Sequence, residues 1–311
     1  MKIIFMGTPD FAVGTLEALI TGGYEIALVV TQPDKPQGRK MELTPPPVKV
    51  CALQHGLEVY QPTRVREQSS MEYLKKYEPD MIVVAAFGQI LPKELLELPK
   101  YGCINVHASL LPNYRGSAPI QWSILNGDAE TGVTIMRMDT GIDTGDMIAK
   151  RTVPIEEEDT GGSLFDKLAE VGAKLLVDTI PSIVDGTATY TKQDEACATK
   201  VGMIQKSQGV IDFHRSAQEI NCQIRALNPW PSAYTKLHGK TLKIWKAKVV
   251  ASDGNYEPGS IARITKDELC IATGEGLLSV LEVQLEGKKR MATADFLRGV
   301  TLTEGEMLGE N

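Results

Sequence analysis

The chain has few cysteines, few histidines and no long apolar run, and each shortage removes a class of explanation. Its five cysteines (Cys51, Cys103, Cys197, Cys222 and Cys270) are odd in number and form no Cys-x-x-Cys pair. Neither a disulfide framework nor a zinc ribbon is expected. The four histidines, His55, His107, His214 and His238, are scattered, with no His-x-x-x-His pair, so no metal is expected. No Gly-x-Ser-x-Gly elbow marks a serine nucleophile. No apolar stretch approaches the roughly 20 residues of a membrane span. The apolar part of the opening Met-Lys-Ile-Ile-Phe-Met-Gly is too short for a signal peptide and reads as a first strand. A reducing cytoplasm and no membrane partner are the expectation. There is no internal repeat and no low-complexity tract.

What is present is an ordinary globular composition, 42% hydrophobic and 23% charged, over 311 residues, a length that allows two domains. The net charge of −7 argues against a globally basic nucleic-acid binder. Charge is unevenly spread, however. The window Lys192–Lys248 holds 10 basic and 4 acidic residues. A local basic stripe can draw a polyanion to an acidic protein, because screening makes nearby charges count most. A lysine-rich solvated strand face accounts for the same composition.

Apolar runs alternate with helical segments in the first part of the chain. Strands are expected at Lys2–Met6, Glu25–Thr31, Leu57–Tyr60, Met81–Ala86, Cys103–His107, Gly132–Asp139 and Met147–Val153. Helices are expected near Pro9–Thr21, Val48–His55 and Ser163–Asp185. This is the pattern of an α/β fold, a Rossmann-like, mostly parallel sheet with helices on both faces. The turn after the first strand, Gly7-Thr8-Pro9-Asp10-Phe11, is not Gly-x-Gly-x-x-Gly, and Pro9 removes a backbone donor. A dinucleotide site is therefore poorly supported. Periodicity fades from Thr187 to about Lys206. A short helix near Ser216–Ala226 follows, then about five short strands between Ala233 and Leu285, which suggest a small OB-like β-barrel. The expected division is 1–189, a linker at 190–206, and 207–311.

The candidate chemistry lies between Gly102 and Asp146. Asn105 and His107 end an apolar strand, and residues two apart on a strand share a face. Sheets of this kind bind ligands beyond the carboxyl ends of their strands. Downstream, Asp139-Thr-Gly-Ile-Asp-Thr-Gly-Asp146 offers Asp143 in a glycine-flanked loop able to approach that tip. An amide, an imidazole and a carboxylate at one point form a proton-transfer site with an oxyanion partner, suited to acyl-type transfer through a tetrahedral intermediate. Cys51 and Cys103 read as buried small apolar residues. The loop Gln32–Lys40 is long for a strand–helix connection. Its Arg39 and Lys40 could meet phosphates or a carboxylate, or the loop is simply surface.

Two long motifs occur in order: Asn105-Val-His-Ala-Ser-Leu-Leu-Pro-Asn-Tyr-Arg-Gly-Ser-Ala-Pro119 and Asp139-Thr-Gly-Ile-Asp-Thr-Gly-Asp146. They resemble the folate-dependent formyltransferase family. The opening Ile-Phe-Met-Gly-Thr-Pro-Asp-Phe, the loop Thr31-Gln-Pro-Asp-Lys-Pro-Gln-Gly-Arg39, Asn228-Pro-Trp-Pro231 and Lys243-Ile-Trp-Lys-Ala247 extend the resemblance over essentially the whole chain. They point to the branch whose acceptor is the α-amino group of methionine on initiator tRNA. The resemblance implies that Asn105, His107 and Asp143 are the catalytic trio and that 10-formyltetrahydrofolate is the donor, with no metal. It implies a folate site near Phe87, Gly88, Gln89, Ile90 and Leu91, the turn Ser109, Leu110, Leu111 and Pro112, and the loop Asp139, Thr140 and Gly141. It implies tRNA contacts at Arg39, Lys40 and Lys206 and along the C-terminal barrel, in a monomeric enzyme of translation initiation. The alternative acceptor is an amino-sugar nucleotide. Two departures stand out: Lys40-Met-Glu-Leu43 is less basic than in many relatives, and Phe213 stands where the family usually has tryptophan.

Overall fold

A computed structural model describes residues 1–37 and 41–309. They form two compact units. The first comprises 1–119, 130–154 and 165–201; the second comprises 120–129, 155–164 and 202–311.

The first unit is built on one seven-stranded mixed sheet. Its strands are β1 (Lys2–Gly7), β2 (Glu25–Val30), β5 (Val59–Tyr60), β6 (Met81–Ala85), β7 (Cys103–His107), β9 (Glu130–Arg137) and β10 (Met147–Pro154), in the order β10-β9-β7-β6-β1-β2-β5. The five strands from β7 to β5 in that order are parallel; β9 pairs antiparallel with β7, and β10 antiparallel with β9. β1 beyond Lys2, β6 and β7 are buried on both faces; the apolar runs Ile3–Met6 and Met81–Ala85 suit central parallel strands, while β7 alternates apolar residues with Asn105 and His107. On one face, Ile4, Met6, Leu28, Val30, Ile82, Val84 and Cys103 pack with Met71 and Leu74 of α3 (Gln68–Lys75) and Leu95 and Leu96 of α4 (Lys93–Leu96). The other face meets α1 (Asp10–Thr21) and α6 (Gly161–Asp185); Phe11 of α1 stands edge-on to Phe165 of α6 at 5.6 Å. Gly172 lets α6 sit close to β7 and β9, since a Cβ there would lie 2.8 Å from Val106 Cγ1 and 3.3 Å from Val133 Cγ1.

Within the long loop expected after β2, the chain forms a hairpin of β3 (Lys35–Gln37) and β4 (Glu42–Thr44), and then α2 (Pro47–Gln54). Arg39 and Lys40 lie outside the described residues. The stretch that loses periodicity after α6 is also structured. Its β11 (Lys200–Val201) pairs in parallel with β8 (Arg115–Gly116), and residues up to Val201 belong to the first unit.

The second unit contains α5 (Pro119–Leu125) from Ile120 onward and a sheet of β12 (Ala233–Leu237), β13 (Lys240–Val250), β16 (Leu277–Leu285), β15 (Leu269–Ala272) and β14 (Ile261–Ile264), in that order, with β17 (Met291–Ala292) beside β16. Ile220 and Ile224 of α7 (Ala217–Ala226) and Phe296 of α8 (Thr293–Leu297) fill its core against Leu242, Ile244, Leu278 and Val280. The tail joins the two ends of the sheet. Ile261 donates to Glu306 O, Leu308 to Gly259 O, and Gly309 to Lys236 O. On β13, Leu242, Ile244 and Ala247 turn inward, while Lys243, Trp245, Lys246 and Lys248 stay accessible. Irregular pairing between Ile244 and Ala247 shifts the alternation by one and keeps Lys246 outside.

Candidate active site

β7 carries two polar side chains into a buried place. Ile104 and Val106 point one way; Cys103, Asn105 and His107 point the other, onto the face lined by Val84 and Leu95. Asn105 pairs with Val84 of β6 and Met136 of β9, and His107 with Thr134. Asn105 is 8% exposed and His107 6%. The Asn105 side-chain amide has no hydrogen-bond partner among the described residues, although buried amides are normally paired. It is a donor and acceptor held ready for something that enters. Burial pushes the Cys103 thiol up to about 12, so it stays protonated and plays no nucleophile.

His107 is oriented from outside the strand. Its Nε2 lies 3.0 Å from the Tyr114 carbonyl oxygen. A carbonyl only accepts, so Nε2 carries a proton and Nδ1 is the nitrogen left to exchange one. Nδ1 faces Asp143 Oδ1 at 3.7 Å. That distance suits an ion pair and is too long for a hydrogen bond; catalytic contacts commonly tighten when substrate binds.

Asp143 reaches this point by an unexpected route. β9 is antiparallel to β7, so Arg137 ends it beside Ile104, and Met138 donates to Cys103 O at 2.8 Å. The exit is three residues from His107, roughly 10 Å away along the strand. The loop must fold back over the sheet face to bring Asp143 to the imidazole. Gly145 permits this, since a Cβ there would lie 1.8 Å from Arg137 O. Asp139 braces the turn, accepting from Gly141 N at 3.0 Å and Thr144 Oγ1 at 2.6 Å. Asp143 itself has φ +53°, a left-handed conformation that costs a non-glycine residue about 1 kcal/mol or more. Its Oδ2 accepts from Gly116 N at 2.8 Å.

The remaining expected ligand segments fall as follows. Phe87–Leu91 leave the carboxyl end of β6, next to β7. Thr8 Oγ1 and Gln32 Nε2 both donate to Phe87 O, at 3.1 and 3.2 Å. Gly88 has φ +80°, Gln89 is tied to Val65 N and Pro62 O, Leu91 is buried, and Ile90 is 71% exposed. Ser109 and Leu111 are fully buried. Ser109 Oγ donates to Asn113 O at 2.6 Å, and Thr134 Oγ1 joins Ser109 O to Leu111 N. Lys150 Nζ donates to Leu111 O, and burial holds its ammonium below the usual lysine range. Leu110 and Pro112 are half-buried; Asp139, Thr140 and Gly141 are exposed, as is Lys206 in the second unit.

Two residues around this site carried no expectation from the sequence. Arg115 sits in the first motif without an assigned role and proves to be 1% exposed. Gln193 lies in the aperiodic stretch, where nothing in the sequence marks it. Its Nε2 donates to both Asp143 O and Gly145 O, at 2.7 and 2.8 Å. Away from the strand tip, Glu17, Cys51 and His55 have metal-ligating chemistry, with ligand atoms all within 4.8 Å of one another. They are satisfied among themselves: Glu17 accepts from Cys51 Sγ at 3.2 Å and meets His55 Nε2 at 3.0 Å. Burial and the Glu17 carboxylate push the Cys51 thiol up to about 12.

Comparison with known proteins bears on what this arrangement does. Residues 1–180 match the formyl transferase family, and residues 203–301 match the formyl transferase C-terminal domain. The chain is 60% identical to a methionyl-tRNA formyltransferase of Agathobacter rectalis over 98% of both chains. It is 53% identical to that of Bacillus subtilis, over 100% of this chain and 98% of the relative. Among solved structures, an N-formyltransferase from Helicobacter canadensis, in complex with folinic acid and dTDP-3-aminofucose, superposes with a TM-score of 0.67 at 21% identity, covering 94% of this chain and 100% of that one. HypX from Aquifex aeolicus in complex with tetrahydrofolic acid gives 0.62 at 18% identity, over 96% of this chain and 48% of its own. At these identities the two structures speak for the fold.

Proposed function

The chain belongs to the formyl transferase family, and from that premise we propose that it formylates the α-amino group of methionine on initiator methionyl-tRNA, with 10-formyltetrahydrofolate as donor. The observation that carries this reading is the identity of 60% with a methionyl-tRNA formyltransferase over 98% of both chains. The sugar-nucleotide alternative has on its side only fold likeness, at 20–22% identity.

The first unit would hold the folate, and the residues at the tip of β7 fit an acyl-transfer donor. An unpaired buried amide and an imidazole with one exchangeable nitrogen face the same space, and the apolar Ile90 side chain is exposed at the neighbouring strand end. The donor supplies a formyl carbon that becomes tetrahedral when the amine adds. Asn105 donates its amide N–H to the oxygen that gains charge there. His107, protonated at Nδ1, adds a cationic partner. Asp143 stabilises that cation and moves the proton lost by the attacking amine toward the leaving nitrogen, by way of a water. The trio, the segments Phe87–Leu91, Ser109–Pro112 and Asp139–Gly141, and the tRNA contacts of Arg39, Lys40 and Lys206 are all part of this proposal. A single chain carries every one of them, so a monomer suffices. Among the described residues no helix is long and apolar enough to cross a membrane.

For the second unit we propose a tRNA-binding face on β13. Trp245 lies under two cations, with Arg290 at 5.0 Å and Lys243 at 5.4 Å from its ring, and Lys246 and Lys248 continue the face. Phosphate contacts make affinity fall with salt. The Kd for methionyl-tRNA, measured by filter binding, is expected to rise by about 40-fold between 50 and 200 mM salt, as roughly three neutralised phosphates require. The double variant Lys243→Glu with Lys248→Glu should flatten that dependence and leave kcat at saturating tRNA unchanged. A Kd indifferent to salt would remove the face from the proposal.

The function itself is tested by transfer from labelled 10-formyltetrahydrofolate to methionyl-initiator tRNA, with methionyl-elongator tRNA and an amino-sugar nucleotide in parallel. Transfer to the initiator alone is the expected result. Transfer to the sugar nucleotide and none to tRNA would keep the chemistry and overturn the acceptor.

A further inference from the structure

We infer that Gln193 is a positioning residue for Asp143, and that Arg115 fixes the orientation of its amide. The inference rests on the reading that Asp143 works with His107. All of its parts lie in the first unit.

Asp143 needs holding. Its backbone is left-handed, and its loop folds back over the sheet from the far end of β9. The Gln193 side chain supplies the clamp. Its two Nε2 hydrogens go to the carbonyl oxygens on either side of Thr144, those of Asp143 at 2.7 Å and Gly145 at 2.8 Å. Its Oε1 accepts from Arg115 Nε at 2.9 Å. A primary amide can be read in two orientations, but here only one satisfies its neighbours. Turned over, the amide oxygen would face two carbonyl oxygens and the NH2 group would face a guanidinium.

Arg115 is itself immobilised. Its Nη1 and Nη2 make a forked pair with Glu195, at 3.0 and 2.7 Å, which holds the Glu195 carboxyl below its ordinary range and the guanidinium above its own. The next residue, Gly116, gives its N–H to Asp143 Oδ2 at 2.8 Å. Gly116 has φ +106° and lies against Val201 O of β11, where a Cβ would come within 2.4 Å. The loop backbone is therefore held by Gln193 and the carboxylate by Gly116, and Arg115 adjoins both. The stretch that reads as a linker, from Gln193 to Val201, acts as a strap that sets the direction of Asp143 Oδ1 toward His107.

Two variants separate positioning from packing. Gln193→Ala removes all three hydrogen bonds. Gln193→Glu keeps the size and the acceptor for Arg115 but loses both donors to the loop. If Gln193 positions Asp143, both variants should lower kcat for formyl transfer by about 10-fold or more, roughly one hydrogen bond's worth of barrier in each case. Both should leave KM for methionyl-tRNA within about threefold. If Gln193 only accepts from Arg115 and packs against it, Gln193→Glu will keep wild-type kcat and the inference is wrong. Equal losses in kcat and tRNA affinity would also overturn it, as would failure of both variants to fold in a thermal melt. Wild-type enzyme inactive on methionyl-tRNA would strike the proposed function instead.

Discussion

Replacing Asp143 with alanine is expected to lower kcat for formyl transfer by about 100- to 1,000-fold, a barrier increase of roughly 2.7–4 kcal/mol. Nδ1 of His107 has Asp143 Oδ1 at 3.7 Å as its acidic neighbour, while Nε2 is committed to Tyr114 O. In the proposed mechanism, losing the carboxylate deprives the imidazolium facing the developing oxyanion of its counter-charge, and the amine of the group that takes up its proton. Asp143 is not among the proposed tRNA contacts, so KM for tRNA should change little, the pattern of an interaction made in the transition state. Asp143→Asn separates charge from shape: it can still accept from Gly116 N, yet it should lose nearly as much activity as alanine. Initial-rate measurements at saturating tRNA decide the matter. A loss within about tenfold, roughly 1.4 kcal/mol, would mean that Asp143 shapes the loop and does no proton work.

Asn105→Ala should cost a similar factor, about 100- to 1,000-fold in kcat, the range found when one preorganised oxyanion donor is removed. Its stability consequences should differ from those of an ordinary buried amide. Because the amide has no partner among the described residues, truncation strands no protein donor or acceptor, and the thermal midpoint should stay near wild type. Activity would fall while the fold holds. A variant that loses stability and activity together would instead make Asn105 a structural residue of β7. The test is a melt and a rate measurement on one preparation.

Much of this was legible beforehand because it depends on short-range pattern. The apolar runs of β1 and β6 specify buried parallel strands wherever they occur. The spacing of Asn105 and His107 puts them on one face of any strand, and β7 was expected at the span it has, Cys103–His107. The strands of the C-terminal antiparallel sheet between Ala233 and Leu285 were legible for the same reason. α3 and α4 were not expected, since Gln68–Lys75 is polar and Lys93–Leu96 is a single turn. β8, β11 and β17 are two residues each and have no pattern of their own.

The sequence by itself determined the chemistry on offer: the amide and imidazole of one strand tip, a carboxylate between glycines, and motifs specific enough to place the family. Tertiary structure alone decided how they meet. The antiparallel direction of β9 carries its loop away from His107 and obliges it to return over the sheet. Sequence pattern does not contain that direction, because a strand's alternation is the same whichever way it pairs. Nor does it mark Gln193, fifty residues from Asp143 in the chain. One side-chain amide in an aperiodic segment has no periodicity to reveal it, and its partners are two carbonyls and a guanidinium that only the folded chain brings together.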